Sequence, residues 1–369
     1  MPNTPAKPRE VNPDLVRVTA MLCVLGVHFY THCGIYNAEY TGFVAFFSQV
    51  LRTSFTPALA LFLMLSGYFQ RGKRLSARYY LGILRLLEMY VIVAAAEALY
   101  RRFYLGEALT VRAFIGSLVN FTASEYSWYI LLYGGLFLFI PFLNVLYSSL
   151  ESRGHKRILI LSVTAISCLP FSALNAFVNL VPYWWQRIWP IAFYFMGAYM
   201  GEYRPAPGVK KCAAWFAAAL LVFSTFNFFV YSPASPLTVH YVAATLYSHE
   251  GLQNAALSPL LFLLVMNLRL DGAPGWFKRG AATVSKYAYG AFLFSSMTDS
   301  FVYTVLNALV EDVGMRLWLL PVALPISLAL SVLAAAVADK LVKLIDRAVR
   351  PLAEKAAVWA YGKLMTEYQ

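Results

Sequence analysis

Charge is scarce in this sequence. Only 13% of its residues are Asp, Glu, Lys or Arg, against about 25% in an average soluble domain. Acidic residues are the scarcer sign, 18 against 30 basic, which leaves a net charge of +12. The basic residues fall in short clusters between apolar runs and not along one soluble face, so nucleic acid is excluded as a partner. Cysteine is rare too. Cys23, Cys33, Cys168 and Cys212 have neither paired nor metal-type spacing, which predicts free, mostly buried thiols, no disulfide framework and no metal site. There is no internal repeat, no low-complexity linker and no stretch long enough for a soluble domain. The first apolar run lacks a basic segment directly before it and a small-residue cleavage site, so it is expected to persist as the first span and not to be removed as a signal peptide.

Apolar residues are what the chain has in quantity: 60% of it is hydrophobic and the mean hydropathy is +0.60. Long apolar runs recur from end to end, which predicts an all-α polytopic integral membrane protein in the lipid bilayer. Length and hydropathy place ten spans near 13–32, 54–70, 79–100, 127–148, 157–178, 184–201, 212–232, 252–269, 284–309 and 317–339. Residues 43–53 are apolar as well and are read as an interfacial helix or an earlier start of the second span. The chain reads as one membrane domain over 1–369, with a tail at 340–369 lying amphipathically on the inner surface. Loops 71–78, 151–157, 202–211 and the stretch from Arg269 to Lys286 are rich in Lys and Arg; 33–51, 179–183, 233–251 and 310–315 are poor in them. The basic set belongs in the cytoplasm, which puts both termini there. Loop 101–126, with Arg101, Arg102 and Arg112 on the expected outer side, is the exception.

Two polar residues interrupt the first span, in NPDLVRVTAMLCVLGVHF (12–29). Arg17 and His28 are eleven positions apart, which on an α-helix is within about 20° of a whole number of turns and roughly 16 Å along the axis. Asp14 and His32 lie close to the same stripe. Such a stripe must face the bundle interior or a wet cavity. The plainer readings are a snorkelling Arg17, a structural His28, a solvated His32, and an Asp14 favoured by the helix dipole and paired with Arg17 at i+3.

An intramembrane arginine followed eleven positions later by a histidine in the first span resembles the signature of the membrane acyltransferase 3 family. FLMLSGYF (62–69), ARYYLGILRLLEMY (77–90), SWYILLYGGLFLFIPFLN (127–144), FYFMGAYMGEY (193–203) and SKYAYGAFLFSS (285–296) are similar to its later segments and follow in its order. The fourth-span segment resembles the surface-polysaccharide O-acetyltransferase branch. Three positions depart from the family pattern: Gly82 stands where the first of two third-span arginines is usual, Arg85 matching the second, and Ser127 and Ser295 replace histidines. The resemblance implies a bacterial, multi-pass inner-membrane enzyme that moves an acetyl group from cytoplasmic acetyl-CoA to a hydroxyl of an envelope polysaccharide or glycolipid.

That chemistry assigns roles. A hydroxyl attacking a thioester must lose a proton, and His28 is the natural base. The donor's phosphates call for arginine at the cytoplasmic level, where Arg17 and Arg85 are expected contacts with Arg78 in support. Residues 71–78 otherwise serve only to set topology. Glu88, three after Arg85, either neutralises it or orients His28. Trp128 and Trp185 are expected to stack on acceptor sugar rings, or else to belong to an interfacial aromatic belt. Ser66 and Gly67 are expected to allow close helix packing beside the site. The competing readings are a transporter or flippase for a lipid-linked sugar, a succinyl donor, and a small-molecule acceptor.

Overall fold

The computed structural model describes residues 9–170, 172, 175, 178–230 and 248–366. Among these the chain is helical without a strand: α1 (Val11–His32), α2 (Gly42–Ser54), α3 (Ala58–Gln70), α4 (Gly82–Phe103), α5 (Val111–Val119), α6 (Trp128–Ser149), α7 (Arg153–Cys168), α8 (Trp189–Tyr203), α9 (Val209–Val230), α10 (Leu252–Met266), α11 (Gly275–Leu309) and α12 (Leu320–Thr366). Side-chain caps start several of them. Thr110 Oγ1 accepts from Ala113 N at the head of α5, and Ser152 Oγ accepts from His155 N at the head of α7, each satisfying an otherwise orphaned donor.

Five helical segments are long and apolar enough to cross a membrane: Val11–His32, Gly42–Gln70, Trp128–Ser149, Val209–Val230 and Val313–Lys363. The other expected spans are helical as well, but shorter or more charged. α7, α8 and α10 have 16, 15 and 15 residues, and α4 carries Arg85, Glu88 and Glu97. Several expected boundaries need correction. The second span is a broken pair, α2 and α3, interrupted by turns at Phe55–Pro57. The helix expected over 157–178 ends at Cys168; part of the remainder lies outside the described residues, as does the end of 212–232. The sixth span divides into a 3-10 helix, Tyr183–Ile188, and α8. Most of the basic stretch from Arg269 to Lys286 is no loop but the first turns of the 35-residue α11. The tail is not a separate surface helix. It continues the last span through Pro351, so that α12 runs for 47 residues.

α1 packs against α2, α3, α10, α11 and α12 and is the helix the others surround. α3 and α8 cross so closely that a Cβ on Gly67 would overlap the Tyr194 carbonyl, and one on Gly197 the Met64 carbonyl. Small residues at such a crossing bring backbones together where lipid supplies no hydrophobic drive. All four cysteines are free and buried.

Polar ties fix which ends meet. Glu10 pairs with Arg204 at 2.8 Å, and Asn12 Nδ2 donates to the carbonyls of Val265 and Leu268. Asn144 Nδ2 donates to Gln70 and Lys73, and Lys156 pairs with Glu202 at 2.7 Å. These ties gather the four basic stretches at the end that holds the start of α1. At the other end Asn307 donates to the His32 carbonyl and Arg316 to that of Cys33. Outside the spans, burial pushes the Glu202 carboxyl up, but Lys156 and Tyr147 outweigh it and leave the group below its ordinary range.

Candidate active site

His28 is buried on α1, with 11% of its side chain exposed. Its Nδ1 lies 2.7 Å from Oδ2 of Asp299, a carboxylate on α11 with no exposed side-chain surface. A carboxylate only accepts, so Nδ1 carries the proton and donates it. Ser327 of α12 donates to the other oxygen, Oδ1. Asp299 is thereby held from α12 while it holds the imidazole from α11. The unshared pair is left on Nε2, for which there is no hydrogen-bond partner among the described residues. The Tyr126 ring stacks flat on the imidazole, centroids 4.0 Å apart and 9° from parallel, and its hydroxyl lies 3.1 Å from His32 Nε2. An oriented imidazole with one free nitrogen is the geometry of a general base.

The Arg17 end of the stripe is cationic. Arg17 donates to Ser285 Oγ at 2.9 Å, lies 3.6 Å from Asp14 and sits 5.0 Å above the Phe69 ring. Asp14 is buried and accepts from Arg9 and Ser285. The Asp14 hydrogen bond lifts the Arg9 guanidinium above its ordinary value, and the Glu10 hydrogen bond does the same for Arg204.

Arg17 lies between two cavities. One, about 530 Å³, is lined by Arg17, Ser66, Arg85, Tyr129, Lys286 and Phe292 among others. The second, about 460 Å³, is lined by Arg9, Arg17, Arg71 and Arg204 with Glu10 and Asp14. The first runs from the charged end to Phe292, which also contacts Tyr126, the ring stacked on His28.

The residues singled out in the sequence are distributed as follows. Arg17, Arg85 and Ser66 line the first cavity and Asp14 the second, while His28 lines neither and meets the first through Tyr126 and Phe292. Arg85 faces the first cavity but is paired with Asp339 at 2.7 Å, and Lys343 shares that carboxylate. Arg78 is exposed and lines neither cavity. Ser66 lines the first cavity while its hydroxyl donates to the Phe62 carbonyl. Glu88 is not the residue that orients His28, which Asp299 does. It is buried with no hydrogen-bond partner among the described residues; Arg85 acts on it by charge alone, while the hydrogen-bonded ion pair of Arg85 is with Asp339. Trp128 lines a cavity of about 480 Å³ with Arg187, Trp189 and His249, while Trp185 is half-exposed outside it.

Asp299, Ser327, Tyr126 and His249 escaped sequence reasoning. His249 stacks on Trp128 with centroids 5.9 Å apart. Burial, the largest influence on it, pushes its imidazole down to about 4. Asp299 did carry a signal, being a lone carboxylate deep in an apolar span, which is itself a functional indication.

A single stretch joins these parts. In SEYSWY (124–129), Tyr126 covers His28, Trp128 lines the aromatic cavity of about 480 Å³ and Tyr129 lines the first cavity. A family description, that of an acyltransferase domain, matches residues 10–336. Comparison with curated proteins and with solved structures returned no match. A match over most of the chain, on a multi-pass helical bundle with an oriented histidine on its central helix, places this protein in the acyltransferase 3 family of membrane acyltransferases.

Proposed function

We propose that this protein transfers an acetyl group from cytoplasmic acetyl-CoA to a hydroxyl of an envelope polysaccharide or lipid-linked sugar. It does so in the bacterial inner membrane, with ten passes and both termini in the cytoplasm. The observation that carries the reading is the division of labour along α1: guanidinium groups at a cavity at one end, and a carboxylate-oriented imidazole on the same face at the other. The gathering of the basic stretches at the Arg17 end supports the orientation, since cytoplasmic loops collect Lys and Arg.

In this mechanism the phosphates of the donor rest on Arg17 and the neighbouring arginines, where planar guanidinium groups suit bidentate anion contacts. The acyl end lies along the first cavity toward Phe292 and Tyr126. His28 Nε2 takes the proton from the acceptor hydroxyl as that oxygen bonds to the thioester carbon. The C–S bond then breaks and the imidazolium returns the proton to the departing thiolate. Asp299 keeps the imidazole in the required tautomer throughout and compensates its transient positive charge. Trp128 and the neighbouring outer aromatics present an apolar face to the acceptor.

The test is release of free CoA from acetyl-CoA by purified protein in nanodiscs, with and without envelope glycans. Glycan-dependent release is expected, and His28→Ala should lower it by on the order of 10²–10⁴ with the fold retained. Wild-type protein that releases no CoA from any acyl donor, yet moves a lipid-linked sugar across the bilayer, would replace the enzyme with a transporter. Equal release by both proteins would return His28 to a structural role.

A further inference from the structure

A third kind of cavity opens at the outer end of the bundle, beyond His28. It encloses about 350 Å³ and is lined by His32, Glu97, Tyr100, Glu125, Ser296 and Ser300 among others. Leu105 and Ala123 are its only apolar lining residues. The volume is that of a small-ligand site, but the lining differs from the apolar walls of the 530 and 480 Å³ cavities and from the guanidinium-rich walls of the 460 Å³ one. It borders the reactive centre directly. His32 lies one turn beyond His28 on α1, with ring centroids 6.3 Å apart, and bonds the Tyr126 hydroxyl. Ser296 lies on α11 one turn before Asp299.

Glu97 is more than nine-tenths buried and lines this space. Its Oε2 accepts from Ser296 at 2.9 Å; Oε1 has no hydrogen-bond partner among the described residues. Unlike the oxygens of Glu88, this one is not sealed among side chains; it opens to the chamber and is free to accept from a molecule held there. Tyr100 and Ser300, bonded at 3.2 Å, add two hydroxyls on the same side. The charge balance is negative. Arg101, the guanidinium in the lining, is held by Glu107 at 2.7 Å, and His32 Nε2, 3.9 Å from Glu125, offsets that carboxylate only when the imidazole is protonated.

The geometry points to this chamber as a sugar subsite that accepts neutral or amine-bearing rings and rejects acidic ones. Its carboxylate oxygens and hydroxyls take donated hydrogen bonds from ring hydroxyls or an ammonium group. A uronate or phosphate there meets like charge, which is a means of excluding the wrong partner. That the bound ring is the acyl acceptor rests on the acyltransferase reading; that the chamber binds sugars and sorts them by charge does not.

The experiment is saturation-transfer NMR of methyl β-glucoside, methyl β-glucosaminide and methyl β-glucuronide with the full chain in nanodiscs, without any acyl donor. Binding of the first two is expected, with the glucuronide at least about tenfold weaker. Ser300→Leu, which fills the chamber, should abolish binding. Glu125→Gln, at an exposed position that tolerates change, should reduce the glucuronide discrimination to about threefold or less. Thermal melting checks both folds. Equal binding of glucoside and glucuronide overturns the proposal, as does binding that neither variant alters, or no binding of any of the three to wild-type protein. Because no donor is present, a failure of CoA release leaves this result standing, and a failure here leaves the acyl transfer standing.

Discussion

In the proposed mechanism Asp299 touches His28 and not the reacting atoms, so its part is positioning, and its removal should be read in the split between turnover and binding. Asp299→Asn keeps the shape but offers an amide where the imidazole needs an acceptor, and it favours the wrong tautomer. kcat should fall by about 10²–10⁴ with the KM for acetyl-CoA nearly unchanged, and Asp299→Glu should recover part of the loss. A fall in both parameters, or no recovery with Glu, would assign the carboxylate to packing. At this scale the sequence was legible where partners share a helix. Arg17 and His28 fall on one stripe because α-helical spacing is fixed, and their placement held. The His28–Asp299 pair joins positions 271 apart in sequence, and no local period reports such a distance. For Glu88, i+3 spacing indicated nearness to the Arg85 charge but not that the guanidinium's hydrogen-bonded partner would be Asp339 on another helix.

Elements were legible where hydropathy and helix coincide. α1 and α6 lie within a few residues of their expected limits, and α9 begins three residues before its own. Elsewhere the two properties separate. α11 begins well before its apolar segment and α12 continues well past its own, because charged residues end a hydrophobic run without ending a helix. Conversely, turns at Phe55–Pro57 break a continuous apolar run between α2 and α3. The tightest contact between elements is the α3–α8 crossing, where Gly67 and Gly197 let each helix meet the other's carbonyls. Gly197→Leu has no space to enter and nothing flexible to displace. It should cost at least about 1–3 kcal/mol and lower the detergent melting temperature, while Gly116→Leu, at an open position on α5, should not. Equal melting of the two variants would mean that the helices separate readily at this crossing.

The molecule as a whole is polarised, with its basic stretches gathered at one end, and that polarity can be tested directly. The four native thiols are buried, so a membrane-impermeant maleimide should give little background on intact cells. Cysteines introduced for exposed Lys73 and Glu311 should then report opposite sides. Glu311→Cys should label in intact cells, and Lys73→Cys only after the inner membrane is opened. Labelling of both without permeabilisation would reverse or abolish the proposed topology. α1 runs between those two sides, gripped by five other helices, and carries Arg17 and His28 on one unbroken rod. The helical rise sets these two positions near ~16 Å apart along the axis. On the proposed donor path α1 would therefore act as a gauge. A molecule anchored at its charged end would meet the imidazole only if its reach matched that interval, so shorter thioesters bearing the same acyl group should fall short however reactive they are.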